Sequence, residues 1–173
     1  MIVFDLIGVL AGPSWRELVA TPQLEQWRRL RVGAIAEEAF WDADARRIYR
    51  AALGVRRDRI AVVERLRRGG VIDEVVVATN YAREWGAAIR ERMPAGVVDR
   101  WAISGELGVA KPDPAFWTKL MVPPGTVVVD DQAENVASAT RAGLRGVLAA
   151  PGVELEAAVL RALLRADSGE GSA

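Results

Sequence analysis

The chain has 173 residues, 51% of them apolar, and its 23 basic residues balance 23 acidic ones. That is enough for one domain with a proper core and a small insertion, and it argues against disorder and against a net field that would draw nucleic acid or an anionic membrane. Cysteine and histidine are absent, which excludes disulfides and thiolate chemistry and leaves any proton transfer or metal binding to carboxylates.

Residues 2–6 read as a buried strand that delivers Asp5 to its C-terminal edge, with Gly8 opening the loop of residues 8–13. A carboxylate at the end of a buried strand is costly unless a cation or hydrogen-bond donors meet it. From 15 to about 53 the pattern turns helical, with breaks expected at Thr21-Pro22 and around Gly33. Within it Phe40, Trp41, Ile48, Tyr49 and Leu53 fall near one face of a 3.6-residue period. Trp15, Trp27, Phe40, Trp41 and Tyr49 are expected to form the core of this segment. Residues 56–68 predict another helix, stopped by Gly69-Gly70. The arginine pairs Arg56-Arg57 and Arg67-Arg68 read as solvated helix faces.

Strands follow at 74–78, 99–103, 126–129 and 146–149, separated by helices over 82–92, after Lys111, over 131–142 and over 153–165. Asp113 and Pro114 suit the cap and first turn of the helix after Lys111. Residues 167–173 are small and polar and read as a flexible tail. Strands alternating with helices call for an α/β parallel sheet with right-handed crossovers. No apolar run is long enough to span a bilayer, so a cytoplasmic compartment is expected. Nothing in the sequence addresses the oligomeric state.

Three sites downstream could meet Asp5. Val75-Val76-Val77-Ala78 ends on Thr79-Asn80, and Thr126-Val127-Val128-Val129 ends on Asp130-Asp131. Between them Gly108-Val109-Ala110-Lys111-Pro112-Asp113 places an ammonium just before a helix. The only lysines are Lys111 and Lys119, and the only asparagines are Asn80 and Asn135. A chain that otherwise uses arginine has put lysine where a compact, flexible point charge is wanted.

Asp5, Thr79, Lys111 and Asp130-Asp131, in that order and spacing, resemble the four motifs of the haloacid dehalogenase (HAD) superfamily, over roughly residues 1–12 and 68–150. Phe4-Asp5-Leu6-Ile7-Gly8-Val9-Leu10 is similar to the first motif and Ala78-Thr79-Asn80 to the second. Leu107-Gly108-Val109-Ala110-Lys111-Pro112 is similar to the third, and Val129-Asp130-Asp131-Gln132-Ala133-Glu134-Asn135 to the fourth. The resemblance implies a three-layer Rossmann-like parallel sheet of order 3-2-1-4-5. A small helical cap, about residues 13–67, would be inserted in a core of residues 1–12 and 68–166. The ligand crevice would lie where the strand order reverses.

It also implies roles. Asp5 would be the nucleophile, forming an aspartyl-phosphate on a small phosphorylated substrate. Mg²⁺ would be held by Asp5, Asp131 and the backbone carbonyl of Ile7, with Asp130 orienting Lys111 or the metal waters. Thr79, Asn80 and Lys111 would hold phosphate oxygens, and Lys111 would neutralise nucleophile and phosphate together. Asn135 would pin the loops of its motif. The sequence departs from the family at Ile7, where most of its phosphatases carry the Asp that serves as general acid/base. The dehalogenases of the family need no metal and have small polar residues where this chain has Asp130-Asp131. Its phosphonatases need a cap lysine, and residues 13–67 contain none. The expectation is therefore a Mg²⁺-dependent phosphohydrolase with impaired turnover. The alternative is a catalytically degenerate member that binds Mg²⁺, a phosphate ligand or a protein partner.

Overall fold

Runs of valine and other β-branched or aromatic residues form the centre of the molecule, because such side chains fit a pleated surface buried on both faces. A computed structural model describes residues 1–18, 24–150 and 152–167. Its main sheet contains β1 (Ile2–Phe4), β4 (Val75–Thr79), β5 (Arg100–Ile103), β6 (Val127–Asp130) and β7 (Arg145–Leu148), all parallel, in the order β5-β4-β1-β6-β7. Counting these strands in chain order, that is the expected 3-2-1-4-5. Two further short strands, β2 (Ala11–Gly12) and β3 (Gly54–Val55), pair antiparallel where the chain leaves the sheet edge and returns to it.

Alternation along the strands divides the core into two layers. Ile2, Phe4, Val75, Val77, Val127 and Val129 face one side, where they join Ile60, Val63 and Leu66 of α4 (Arg57–Arg68), Trp85 and Ile89 of α5 (Arg83–Arg90), and Leu155 and Val159 of α9 (Leu155–Asp167). Val3, Val76, Ala78 and Val128 face the other side, against Phe116 and Trp117 of α7 (Pro114–Leu120) and Ala139 of α8 (Ala133–Arg141). A short helix α6 (Ser104–Leu107) follows β5 directly. Asp113 caps α7 by accepting a hydrogen bond from the Ala115 amide at 2.8 Å, with Pro114 in the first turn. No helix among the described residues is long and apolar enough to cross a membrane.

The inserted segment contains α1 (Trp15–Leu18), α2 (Leu24–Leu30), a 3-10 turn (Glu37–Ala39) and α3 (Ala43–Ala52). The expected breaks differ in outcome. Thr21-Pro22 lies outside the described residues, as does the tail from residue 168. Gly33 does turn the chain after α2, at φ +72°. The single helical face expected to run through Phe40, Trp41, Ile48, Tyr49 and Leu53 is not present. Asp42 caps a helix that starts only at Ala43, accepting from the Ala45 amide at 2.8 Å, and Ile48 is half-exposed. Local capping set the helix start and overrode a periodicity that crossed it. α4, which the expected cap of residues 13–67 included, packs against α9, with Arg65 and Glu156 joined by an ion pair.

The aromatic residues are not a core private to the insertion. Trp27 stacks on Trp85 of α5 with ring centroids 5.6 Å apart, and Trp41, Tyr49 and Phe40 also pack on Trp85. Glu37 lies fully buried among these rings, accepting from the indole N–H of Trp85 at 2.7 Å and bonded to the guanidinium of Arg50. Insertion and sheet therefore share one continuous apolar core.

Candidate active site

Register places the first carboxylate. Phe4 aligns with Val77 on one side and Val129 on the other, so the next residue, Asp5, emerges between the ends of β4 and β6. Its amide donates to the Val129 carbonyl at 2.7 Å, which fixes the backbone there. Lys111 enters from the loop before α7 with its side chain 1% exposed. Its ammonium donates to Asp5 Oδ1 at 2.8 Å, to Asp130 Oδ2 at 2.5 Å and to the Ala78 carbonyl at 2.7 Å. All three hydrogens are thus engaged, and one cation ties together the ends of three neighbouring strands.

Asp130 is fully buried and saturated. Besides Lys111 it accepts from the Gln132 amide at 2.9 Å and from Asn135 Nδ2 at 3.0 Å. Asn135 is thus tied to Asp130 within its own motif, while its Oδ1 is buried without a hydrogen-bond partner among the described residues. Asn80, a phosphate contact by the resemblance, lines the cavity. In the structure its amide group accepts from the Lys111 N–H at 2.8 Å and donates to the Lys111 carbonyl at 2.7 Å, fastening that loop to the end of β4. Thr79 is buried and lines the adjoining cavity.

Asp131 follows Asp130 but faces the cavity, where Gln132 Nε2 donates to its Oδ2 at 3.0 Å. Gly8, at φ +93°, brings the loop after β1 hard against it: a Cβ at this position would lie 2.3 Å from Asp131 Oδ2. Only glycine permits both the dihedral and the approach. Carboxylate oxygens of Asp5, Asp130 and Asp131 all lie within 4.8 Å of one another.

Three carboxylates thus gather here with one ammonium, which is bonded to two of them. Burial pushes the Asp5 carboxyl up to about 7; Lys111 pulls against this, while Asp130 and Asp131 add to it. Burial likewise raises Asp131, with Asp130 contributing. For Lys111, burial works to lower the pKa, but the charges of Asp5 and Asp130 outweigh it and hold the ammonium above its ordinary value. The remaining oxygens, Asp5 Oδ2 and Asp131 Oδ1, accept no hydrogen bond among the described residues. Uncompensated negative charge with free oxygen donors facing a cavity suits a hard divalent cation such as Mg²⁺, which takes a few carboxylates and completes its shell with water and phosphate.

The cavity, of about 220 Å³, runs from Asp5 and Lys111 to the inserted segment, where Trp15, Trp27, Tyr49 and Arg31 line it. Ile7 lines it too, presenting an apolar side chain. Sequence reasoning missed several polar members of this wall, among them Arg16, Arg31, Gln132, Glu134 and the Tyr49–Tyr81 hydroxyl pair at 2.5 Å. Arg31 carried no local signal that separates it from the many surface arginines of this chain. Tyr81 could have been found, because it follows Thr79-Asn80 at the same strand end.

No protein-family model and no curated protein matches the sequence. Solved structures do. A predicted HAD-like family hydrolase from Porphyromonas gingivalis superposes with a TM-score of 0.72 at 20% identity, covering 95% of this chain and 97% of that one. The chain has the fold of the HAD-like hydrolases. A HAD family enzyme from Bacteroides thetaiotaomicron, solved in complex with magnesium and inorganic phosphate, has a TM-score of 0.67 at 16% identity over 88% of this chain and 95% of that one. An L-2-haloacid dehalogenase gives 0.60 at 18% identity, covering 97% and 98%. The parallel sheet with its helical layers is thus common to proteins of differing chemistry on this HAD-like fold, and the chemistry must be argued from the site.

Proposed function

We propose that this protein is a Mg²⁺-dependent HAD-like phosphohydrolase, acting on a small phosphate monoester through an aspartyl-phosphate on Asp5. The observation that carries the reading is the Lys111 ammonium bridging Asp5 and Asp130 at the strand ends, with Asp131 beside them and a cavity in front. The similar enzyme crystallised with magnesium and phosphate supports the choice of ligands.

Asp5 and Asp131, with the backbone carbonyl of Ile7, would hold the metal, which neutralises charge on the phosphoryl oxygens when bound. A carboxylate oxygen of Asp5 attacks phosphorus; an Asp O–P bond forms as the ester P–O bond breaks, and the leaving alkoxide takes its proton from water. Water then attacks the same phosphorus, releasing inorganic phosphate and restoring the carboxylate. Lys111 stabilises the charge on Asp5 and on the phosphoryl group. Because its hydrogens are already engaged, it acts on phosphate through charge unless it releases a partner. Thr79 supplies a hydroxyl for a phosphate oxygen, and Asn80 acts by holding the Lys111 loop. Asp130 positions the ammonium and takes no direct part.

Ile7 supports the second reading, a degenerate protein that binds Mg²⁺ and a phosphate ligand without efficient turnover. Its apolar side chain can neither protonate a leaving alkoxide nor activate water, help worth on the order of 10²–10⁴ in rate. Release of phosphate from para-nitrophenyl phosphate with and without Mg²⁺ tests the first reading, beside Asp5→Asn and a calorimetric Mg²⁺ titration of the wild type and Asp131→Ala. Metal-dependent release that both substitutions abolish is expected. Mg²⁺ binding without release or phosphorylation of Asp5 would favour the second reading.

A further inference from the structure

The inserted segment brings charge of the opposite sign to the cavity. Arg31, just after α2, is half-buried and lines the same cavity as Asp5 and Lys111. Its Nε is buried without a hydrogen-bond partner among the described residues, and none of the ion pairs among them includes it. Burial lowers its pKa, and the nearby charges of Arg28 and Arg16 add to that, against an opposing pull from Glu134. Arg16 also lines the cavity, its guanidinium 5.6 Å from the Trp15 ring centroid. A guanidinium whose Nε is buried without a partner and which like charges crowd is eased when an anion meets it. Its planar fork suits a carboxylate or a phosphate.

The root of Arg31 is held by the sheet. Ser104, fully buried at the end of β5, donates its hydroxyl to the Arg31 carbonyl and accepts from the Tyr81 amide at 2.9 Å. Two residues on, the Gly33 turn presses on α6, where a Cβ would lie 2.5 Å from the Gly105 carbonyl oxygen. The strand ends that carry Thr79 and Tyr81 therefore also anchor the arginine backbone, which fixes where its side chain leaves the chain for the cavity. At the other end of the cavity the phosphoryl group already has Lys111, Thr79 and the carboxylates suited to a metal.

We propose that Arg31, with Arg16 beside it, receives a second anionic group of the substrate, so that preferred substrates carry a carboxylate or a further phosphate away from the phosphoryl group facing Asp5. This deepens the phosphohydrolase reading and rests on it for the Asp5 end only. Three aryl esters test it: phenyl phosphate, para-carboxyphenyl phosphate and para-phenylene bisphosphate. Binding of each to the Mg²⁺-loaded wild-type protein is measured by calorimetry where the ester is not turned over, and through kcat and KM where it is.

At least one doubly anionic ester is expected to bind about tenfold tighter than phenyl phosphate, and which one it is separates carboxylate from phosphate as the second group. Arg31→Gln should collapse that ratio towards one, mainly through KM, and Arg31→Lys should restore part of it. Equal binding of all three esters by the parent protein, or no binding of any, overturns the proposal. So does an Arg31→Gln loss equal for phenyl phosphate and for both doubly anionic esters, which would assign Arg31 to the reacting phosphoryl group. Discrimination in binding without any hydrolysis keeps the anion site and sinks the phosphohydrolase reading instead.

Discussion

Two carboxylates of this protein are buried in contrasting ways. Glu37 sits in the aromatic layer between insertion and sheet, where two indole N–H groups and the Arg50 guanidinium meet it. Asp5 sits at the sheet edge with one ammonium that it must share with Asp130, while Asp131 stands nearby. Around Glu37 donors match acceptors, and the group serves to join two parts of the chain. Around Asp5 acceptors outnumber cations, and free oxygens open on a cavity. Matched burial is a structural device; mismatched burial, held in place by well-made strands, marks where a ligand completes the chemistry.

The largest expected effect breaks the Asp5 side. Lys111→Met leaves Asp5 and Asp130 without their cation, and losing one partner of a buried pair costs about 3–5 kcal/mol. Denaturant unfolding should show that loss, partly recovered by added Mg²⁺, and any turnover should vanish. A variant equally stable without metal would mean that the ammonium does not hold the strand ends together.

On the other side, Glu37→Ala orphans the Trp85 and Trp41 N–H groups and frees Arg50. A loss of about 2–4 kcal/mol is expected, below the full buried-pair value because Arg50 is half-exposed. Mg²⁺ should not recover it. Metal rescue of Glu37→Ala would erase the distinction between the two sites.

Ile7→Asp sharpens the comparison by adding a proton carrier beside Asp5. Steady turnover should rise by about 10², the lower bound for acid/base help. The wild type should show a burst with an aryl phosphate followed by a slow steady rate, as expected when the aspartyl-phosphate breaks down slowly. An Ile7→Asp protein that folds, never phosphorylates on Asp5 and hydrolyses nothing would end the phosphohydrolase reading.

The smallest effect is expected at a surface pair that serves as control. Hydrogen bonds from Arg67 hold the Asp99 carboxyl below its ordinary value, partly opposed by burial. A depressed carboxyl contributes stability that is full above its unfolded pKa of 3.8 and lost as pH falls through the lower folded value. For an exposed pair this amounts to about 0.2–1 kcal/mol. Comparing Asp99→Asn with the wild type across that acid range should show their stabilities converging as the pH falls.

Much of the Asp5 side was legible in the sequence, and almost none of the Glu37 side. Runs of β-branched and aromatic residues ending on Asp5, Thr79 and Asp130-Asp131 mark buried parallel strands whose ends carry polar groups, and Lys111, one of only two lysines, stands between them just before a helix. Glu37 carries no local mark that separates it from the adjacent Glu38. The helical period through Phe40 and Tyr49 passed over the Asp42 cap that splits it.

By itself the sequence determined the five strands of the main sheet, their order once the resemblance was seen, and the residues gathered at the carboxyl edge. It could do so because strand periodicity, caps and glycine turns are local, and each motif sits within a few residues of the strand or helix that carries it. The tertiary structure alone decided that Trp27, Trp41 and Glu37 meet Trp85. It also decided that Asn80 is spent on the Lys111 loop, and that Arg31, anchored through Ser104, faces the Asp5 cavity. Those contacts join residues 31 to 73 positions apart, and nothing in a local pattern encodes which distant neighbour a side chain will find when two layers close.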